Sequence, residues 1–201
     1  MGAERTIDIQ TTSAPAADAR AVVLVEGVSD RVAVEALARR RGRNLAGEGV
    51  SVVPIGGAQA IGRVLQLFGP YGRDLTLAGL CDAGEAADYK RGLERAGLGT
   101  DLTRTGMERL GFYVCAVDLE DELIRALGRA GVEQVVEAQG DLNAFRTLQK
   151  QPPWRGRPVE EQLRRFMGSG GRRKIRYARL LVDALGPGQV PRPLDRVLTH
   201  V

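Results

Sequence analysis

Four short apolar runs are spaced along the first 120 residues, and each gives way to a longer stretch whose apolar positions recur at helical spacing. AVVLV, starting at Ala21, leads through Glu26 and Gly27 into a helix for which Ser29 is the predicted N-cap and which ends near Gly42. VSVVPI leads through Gly56 and Gly57 into a helix ending at Phe68, and DLTLAGLC leads through Asp82 into one that ends by Gly97. GFYVCAV meets Asp118, after which Leu119, Leu123 and Leu127 stand four residues apart, as one apolar helix stripe requires. The order is βαβαβαβα. Near-continuous apolar strands alternating with helices predict an α/β fold: a parallel sheet of about four strands, covered by helices on both faces and joined by right-handed crossovers.

Two flanking regions lack this alternation. Residues 1–19, ending in TTSAPAADA, are small and polar without periodicity and are expected to form a flexible arm. Residues 131–201 read as helical pieces broken by QPPW, GRP, GSGG and GPGQVPRP, a C-terminal helical appendage packed on an α/β domain spanning 20–130. No apolar stretch approaches the roughly 20 residues that cross a bilayer, and MGAERTIDIQ lacks the basic-then-apolar pattern of a secretory signal, so a cytoplasmic location without membrane contact is expected. Cys81 and Cys115 each end an apolar run, where cysteine behaves as a small buried hydrophobe. Zinc is set aside, because the single histidine, His200, sits beside a carboxyl terminus expected to fray. The net charge of +4 is unevenly spread: residues 150–180 carry ten Lys/Arg against two Asp/Glu, leaving the remainder at −4. An acidic body beside a basic stretch suits a metal in one place and a polyanion in another, although a solvated helical face has the same composition.

In open parallel sheets, ligands bind beyond the carboxyl ends of the strands. The residues there are Glu26, Gly56, Asp82 and Asp118, with Asp30, Glu85 and Glu120 close by in sequence. Clustered carboxylates raise one another's pKa unless hard cations join them, and oxygen ligands in this number suit such cations. Each residue also has a structural reading. Asp82 with Glu85 fits a capping box, Asp118 with Glu120 and Asp121 suits a helix N-terminus, and Gly56 and Gly57 fit either a tight turn or a phosphate-binding one. Glu26, directly after a buried strand and ahead of a separate capping serine, has no evident capping duty.

VLVEGVSD, from Val23 to Asp30, resembles the first motif of the TOPRIM domain, which topoisomerases, primases, recombination proteins and the OLD (overcoming lysogenisation defect) nucleases share. GLCDAGEA, from Gly79, and VDLEDELIRALG, from Val117, are most similar to the OLD-type TOPRIM, in which an Asp-Leu-Glu triplet follows the last strand. GSGGRRKIRYARLL, from Gly168, resembles that family's terminal lysine-bearing helix, so the resemblance spans about residues 20–185. It implies a TOPRIM, Rossmann-like sheet and one or two Mg²⁺ or Mn²⁺ ions held by Glu26, Asp30, Asp82, Asp118 and Glu120. It also implies that Lys174 stabilises charge at a scissile phosphate, and that Glu26 ligates metal or serves as general acid or base. The chain departs from the pattern at Gly84, where many TOPRIM domains carry the second aspartate of Asp-x-Asp, and Glu85 is the candidate replacement. It also contains no GxxxxGK[ST] phosphate loop, so it reads as a stand-alone TOPRIM whose ATP coupling, if any, needs a separate ATPase partner chain.

The expected activity is metal-dependent phosphodiester hydrolysis, nicking or cutting DNA or RNA. Arg172, Arg173, Lys174 and Arg176 would grip the backbone, and binding would be to duplex or directed by structure through phosphates. Trp154, Phe166 and Tyr177 are the few candidates for base stacking, each equally suited to the core. The alternative is a non-catalytic TOPRIM module that binds nucleic acid or a partner protein, having lost a ligand at Gly84.

Overall fold

The computed structural model describes residues 18–201. The arm expected over 1–19 therefore lies outside the described residues except for Asp18 and Ala19. Strands β1 (Ala21–Val25), β2 (Val50–Pro54), β3 (Thr76–Cys81) and β4 (Phe112–Val114) form one parallel sheet in the order β2-β1-β3-β4. The predicted α/β architecture is thus the observed one.

Strand periodicity sends alternate side chains to opposite faces, and both faces are buried. Val22 and Leu24 pack with Ile61 and Leu65 of α2 (Ile61–Phe68), Tyr89 and Leu93 of α3 (Ala86–Arg95), and Met107 of α4 (Arg104–Arg109). Ala21, Val23 and Val25 face α1 (Val28–Arg40) and α5 (Leu119–Ala138), the latter kinked at Gly128. The same core continues into α6 (Leu142–Lys150), α7 (Val159–Met167), α8 (Gly171–Ala184) and α9 (Arg192–His200). Phe145, Phe166 and Tyr177 tie α6, α7 and α8 together through edge-to-face rings 5.4 and 6.2 Å apart. Arg40, at the end of α1, donates to the carbonyls of Val182 and Leu185, anchoring α8 to the sheet domain.

Several local expectations change. Ser29 is not the N-cap of α1: Gly27 holds that position, and Asp30 accepts a hydrogen bond from its N–H at 2.9 Å. The apolar run GFYVCAV supplies only three strand residues, because Ala116 and Val117 are exposed and the Ala116 N–H donates to Glu122 Oε1 at 2.7 Å. The carboxyl terminus does not fray. Leu194, Val197 and Leu198 are buried, and the Val201 carbonyl accepts from Arg43 Nη2 at 2.8 Å. Among the described residues no helix is long and apolar enough to cross a membrane.

Candidate metal centre

The chain leaves β1 to one side, into β2, and returns to β3 on the other, so the carboxyl ends of β1 and β3 flank the point where the strand order reverses. Glu26 follows β1 and Asp82 follows β3, which makes them neighbours. Gly56, beyond β2, donates its N–H to the Glu26 carbonyl at 3.0 Å, and the Ala83 N–H bonds the Val117 carbonyl at 3.1 Å, stitching the loops along this edge. Gly56 and Gly57 have φ of 76° and 113°, conformations that only glycine adopts readily, and open space surrounds both.

Three carboxyls approach one another at this edge: Glu26 is close enough to Asp82 and Glu85 to raise the pKa of both, beyond what their burial does. Burial first, then the proximity and charge of Glu26, push Asp82 up to about 8. Glu85 is raised by burial and by Glu26, against the Ala58 N–H, which favours its ionised form. No hydrogen-bond donor reaches the buried Glu85 Oε2 when the group is ionised. Asp82 makes no capping bond to the turn that follows it, so its capping-box reading fails, whereas Glu85 turns inward from the position after Gly84. Asp30, capping α1, is lifted to about 6, chiefly by burial and further by Glu120 and Glu26.

Asp118 and Glu120 lie beside this trio but are held differently. Asp118 caps α5, its Oδ1 accepting from the Asp121 N–H at 2.8 Å, so the helix-terminus reading is realised there. Its Oδ2 accepts from Arg164 Nε at 2.6 Å, while Glu120 Oε1 pairs with Lys174 Nζ at 3.1 Å. Burial raises Glu120 despite Lys174; burial works to lower Lys174, but Glu120, Asp30 and Asp118 together carry it upward. Arg164 was not singled out from sequence. It lies 46 residues from Asp118, and only its exposed position on α7, opposite buried Leu163, Phe166 and Met167, could have signalled it.

Among the described residues no three His, Cys, Asp or Glu side chains stand arranged as they are to hold a metal ion. In donor chemistry the set still fits a hard divalent cation: three clustered carboxyls, two with raised pKa, and one buried oxygen that lacks a donor.

The expected nucleic-acid residues fall into two groups. Arg172 is exposed and Lys174 reaches Glu120, but Arg173 bonds Ser169 Oγ at 2.7 Å and lies 4.5 Å from the Phe166 ring centre, and Arg176 pairs with Asp141. Phe166 and Tyr177 are core residues, leaving Trp154 as the half-exposed ring of the three. A cleft of ≈ 690 Å³ is lined by Asp118, Glu120, Trp154, Arg164, Arg165 and Lys174 among others.

Residues 19–82 match the family described as "Overcoming lysogenization defect protein-like, TOPRIM domain". No curated protein matches the chain. Among solved structures, the C-terminal region of the Burkholderia pseudomallei OLD protein superposes with a TM-score of 0.69 at 22% identity, covering 90% of this chain and 96% of that one. The C-terminal region of the Xanthomonas campestris pv. campestris OLD protein gives 0.70 at 25% identity, with 91% and 92% covered. The chain therefore resembles the OLD-type TOPRIM in sequence over residues 19–82, and shares its fold, over about nine-tenths of its length, with the C-terminal regions of OLD proteins.

Proposed function

We propose that the chain hydrolyses phosphodiester bonds of nucleic acid, most simply DNA, in a divalent-cation-dependent reaction. The observation that carries this reading is the position of Glu26 between Asp82 and Glu85, an arrangement of acid groups that is costly unless protons or a cation join them. Glu26, Asp82 and Glu85 would hold Mg²⁺ or Mn²⁺, with Asp30 beside them and Asp118 and Glu120 available to a second ion. Bound there, the ion supplies Lewis-acid stabilisation of phosphoryl charge and lowers the pKa of water. The protein's own groups do the rest. Lys174 and Arg164 would bring positive charge to the phosphate, and Glu26 would ligate the ion or serve instead as general acid or base towards water or the leaving oxygen. Coupling to a separate ATPase chain belongs to the same proposal.

Supercoiled plasmid incubated with Mg²⁺ or Mn²⁺ tests it. Nicking should appear and should vanish in Glu26→Ala and Asp82→Ala; nicking that survives both substitutions overturns the assignment. A second reading, a binding module without catalysis, is favoured by one feature: Arg164 and Lys174 already neutralise Asp118 and Glu120. It predicts retained nucleic-acid binding with no cleavage under any divalent cation.

A further inference from the structure

Trp154, in the connection between α6 and α7, is half-buried, with the guanidinium groups of Arg157 and Arg165 5.4 and 5.9 Å from its ring centre. Its backbone is fixed, because its carbonyl accepts from Gln162 Nε2 at 2.7 Å, and buried Gln162 in turn accepts from Gln149 Nε2 at 2.7 Å. The indole is therefore presented on a rigid support in the wall of a cleft that Asp118, Glu120 and Lys174 also line. Charges inside the cleft are mostly satisfied: Arg164 pairs with Asp118, Lys174 with Glu120, and Arg157 with Glu161 at 3.4 Å. Arg165 and Glu160, both exposed, form no ion pair with any described residue, and the Arg165 guanidinium lies over the Trp154 ring.

A cleft so nearly balanced exerts little long-range pull on a duplex backbone, whose base faces are hidden in any case. What it offers is an aromatic ring flanked by guanidinium groups, one of them in no ion pair, the combination on which unpaired bases stack and phosphates rest. Its ≈ 690 Å³ lies within the range of pockets that enclose small molecules, of roughly 300–1,000 Å³, so a nucleotide fits. We propose that this cleft seats an unpaired nucleotide of the substrate, its base on Trp154 and its phosphate at Arg165, so that the substrate class is nucleic acid with a flap, gap or single-stranded end beside the cut. The inference rests on the hydrolytic reading for the cut itself, while the seat is a property of the cleft alone.

Trp154 is the chain's only tryptophan, so its fluorescence reports on the seat directly. In chelator, titration with an oligothymidine and with a flapped duplex should quench emission, and a blunt duplex of equal length should not. Labelled-oligonucleotide anisotropy should show roughly tenfold weaker binding for Trp154→Ala, and for Arg165→Gln a salt dependence shallower by about 0.7 in log–log slope. Arg165 is exposed and in no ion pair, so that variant keeps the test independent of folding. Equal binding of blunt and flapped duplex with no quenching, or unchanged affinity in both variants, overturns the proposal. Nicking without quenching removes this inference alone, and quenching without nicking removes the hydrolytic reading alone.

Discussion

The carboxyl of Asp82 carries the most consequential single property of the molecule. Its pKa rises from 3.8 to about 8, so between those values the folded protein holds a proton that the unfolded chain has released, and each step up in pH favours unfolding. Asp30, raised to about 6, acts in the same direction over a narrower window. In chelator, the melting temperature should therefore carry a component that falls as pH rises from about 5 to 8 and levels off above. Asp82→Asn should flatten that component, and an unchanged pH profile in the variant would contradict the burial of Asp82 beside Glu26 as its source. Glu26 and Asp82 were legible in the sequence because both directly follow strands that neighbour each other at the switch point, so topology alone brings them together. Glu85 was legible only as a possibility, since a side chain in the first turn after Gly84 can point either way; it turns inward. Arg164 was not legible, because its approach to Asp118 depends on how α7 packs across the sheet edge.

At the scale of elements, burial on both faces explains why β1 and β2 could be read almost to the residue, and β3 and β4 in place though not in length, while α4 could not be read at all. RTGMER has a single buried residue, Met107, and no apolar stripe; the helix is fixed by Thr103, whose Oγ1 accepts from the Gly106 N–H at 3.1 Å. Close packing also dictates composition within strands. A Cβ at Gly79 would lie 2.7 Å from Phe112 Cδ1 and 3.1 Å from the Leu24 carbonyl, so Gly79→Ala should cost about 1–3 kcal/mol as β4 is pushed away, read from the denaturant midpoint. The basic helices are joined to the rest through their rings. Phe166, between Phe145 and Tyr177, is 2% exposed, and Phe166→Ala should cost ~3–5 kcal/mol. If α7 positions Arg164 at Asp118, that variant should also lose activity in excess of its unfolded fraction at the assay temperature. Full specific activity in the folded fraction would show that α7 is dispensable to the site.

Across the whole molecule, acid and base are segregated and then brought face to face. The sheet edge supplies carboxyls, and α7 and α8 supply the cations that meet Asp118 and Glu120. The C-terminal helices are thus part of the site's electrostatics, which a linear reading of a basic tail did not convey. On the function proposed above, Glu26, Asp82 and Glu85 take up a divalent cation together. Anomalous diffraction from crystals soaked in Mn²⁺ tests it most directly: a peak should lie within about 2.0–2.6 Å of carboxylate oxygens of both Glu26 and Asp82, with Glu85 turned towards it. An absent peak at saturating Mn²⁺, or one seated away from Glu26 and Asp82, would contradict the account.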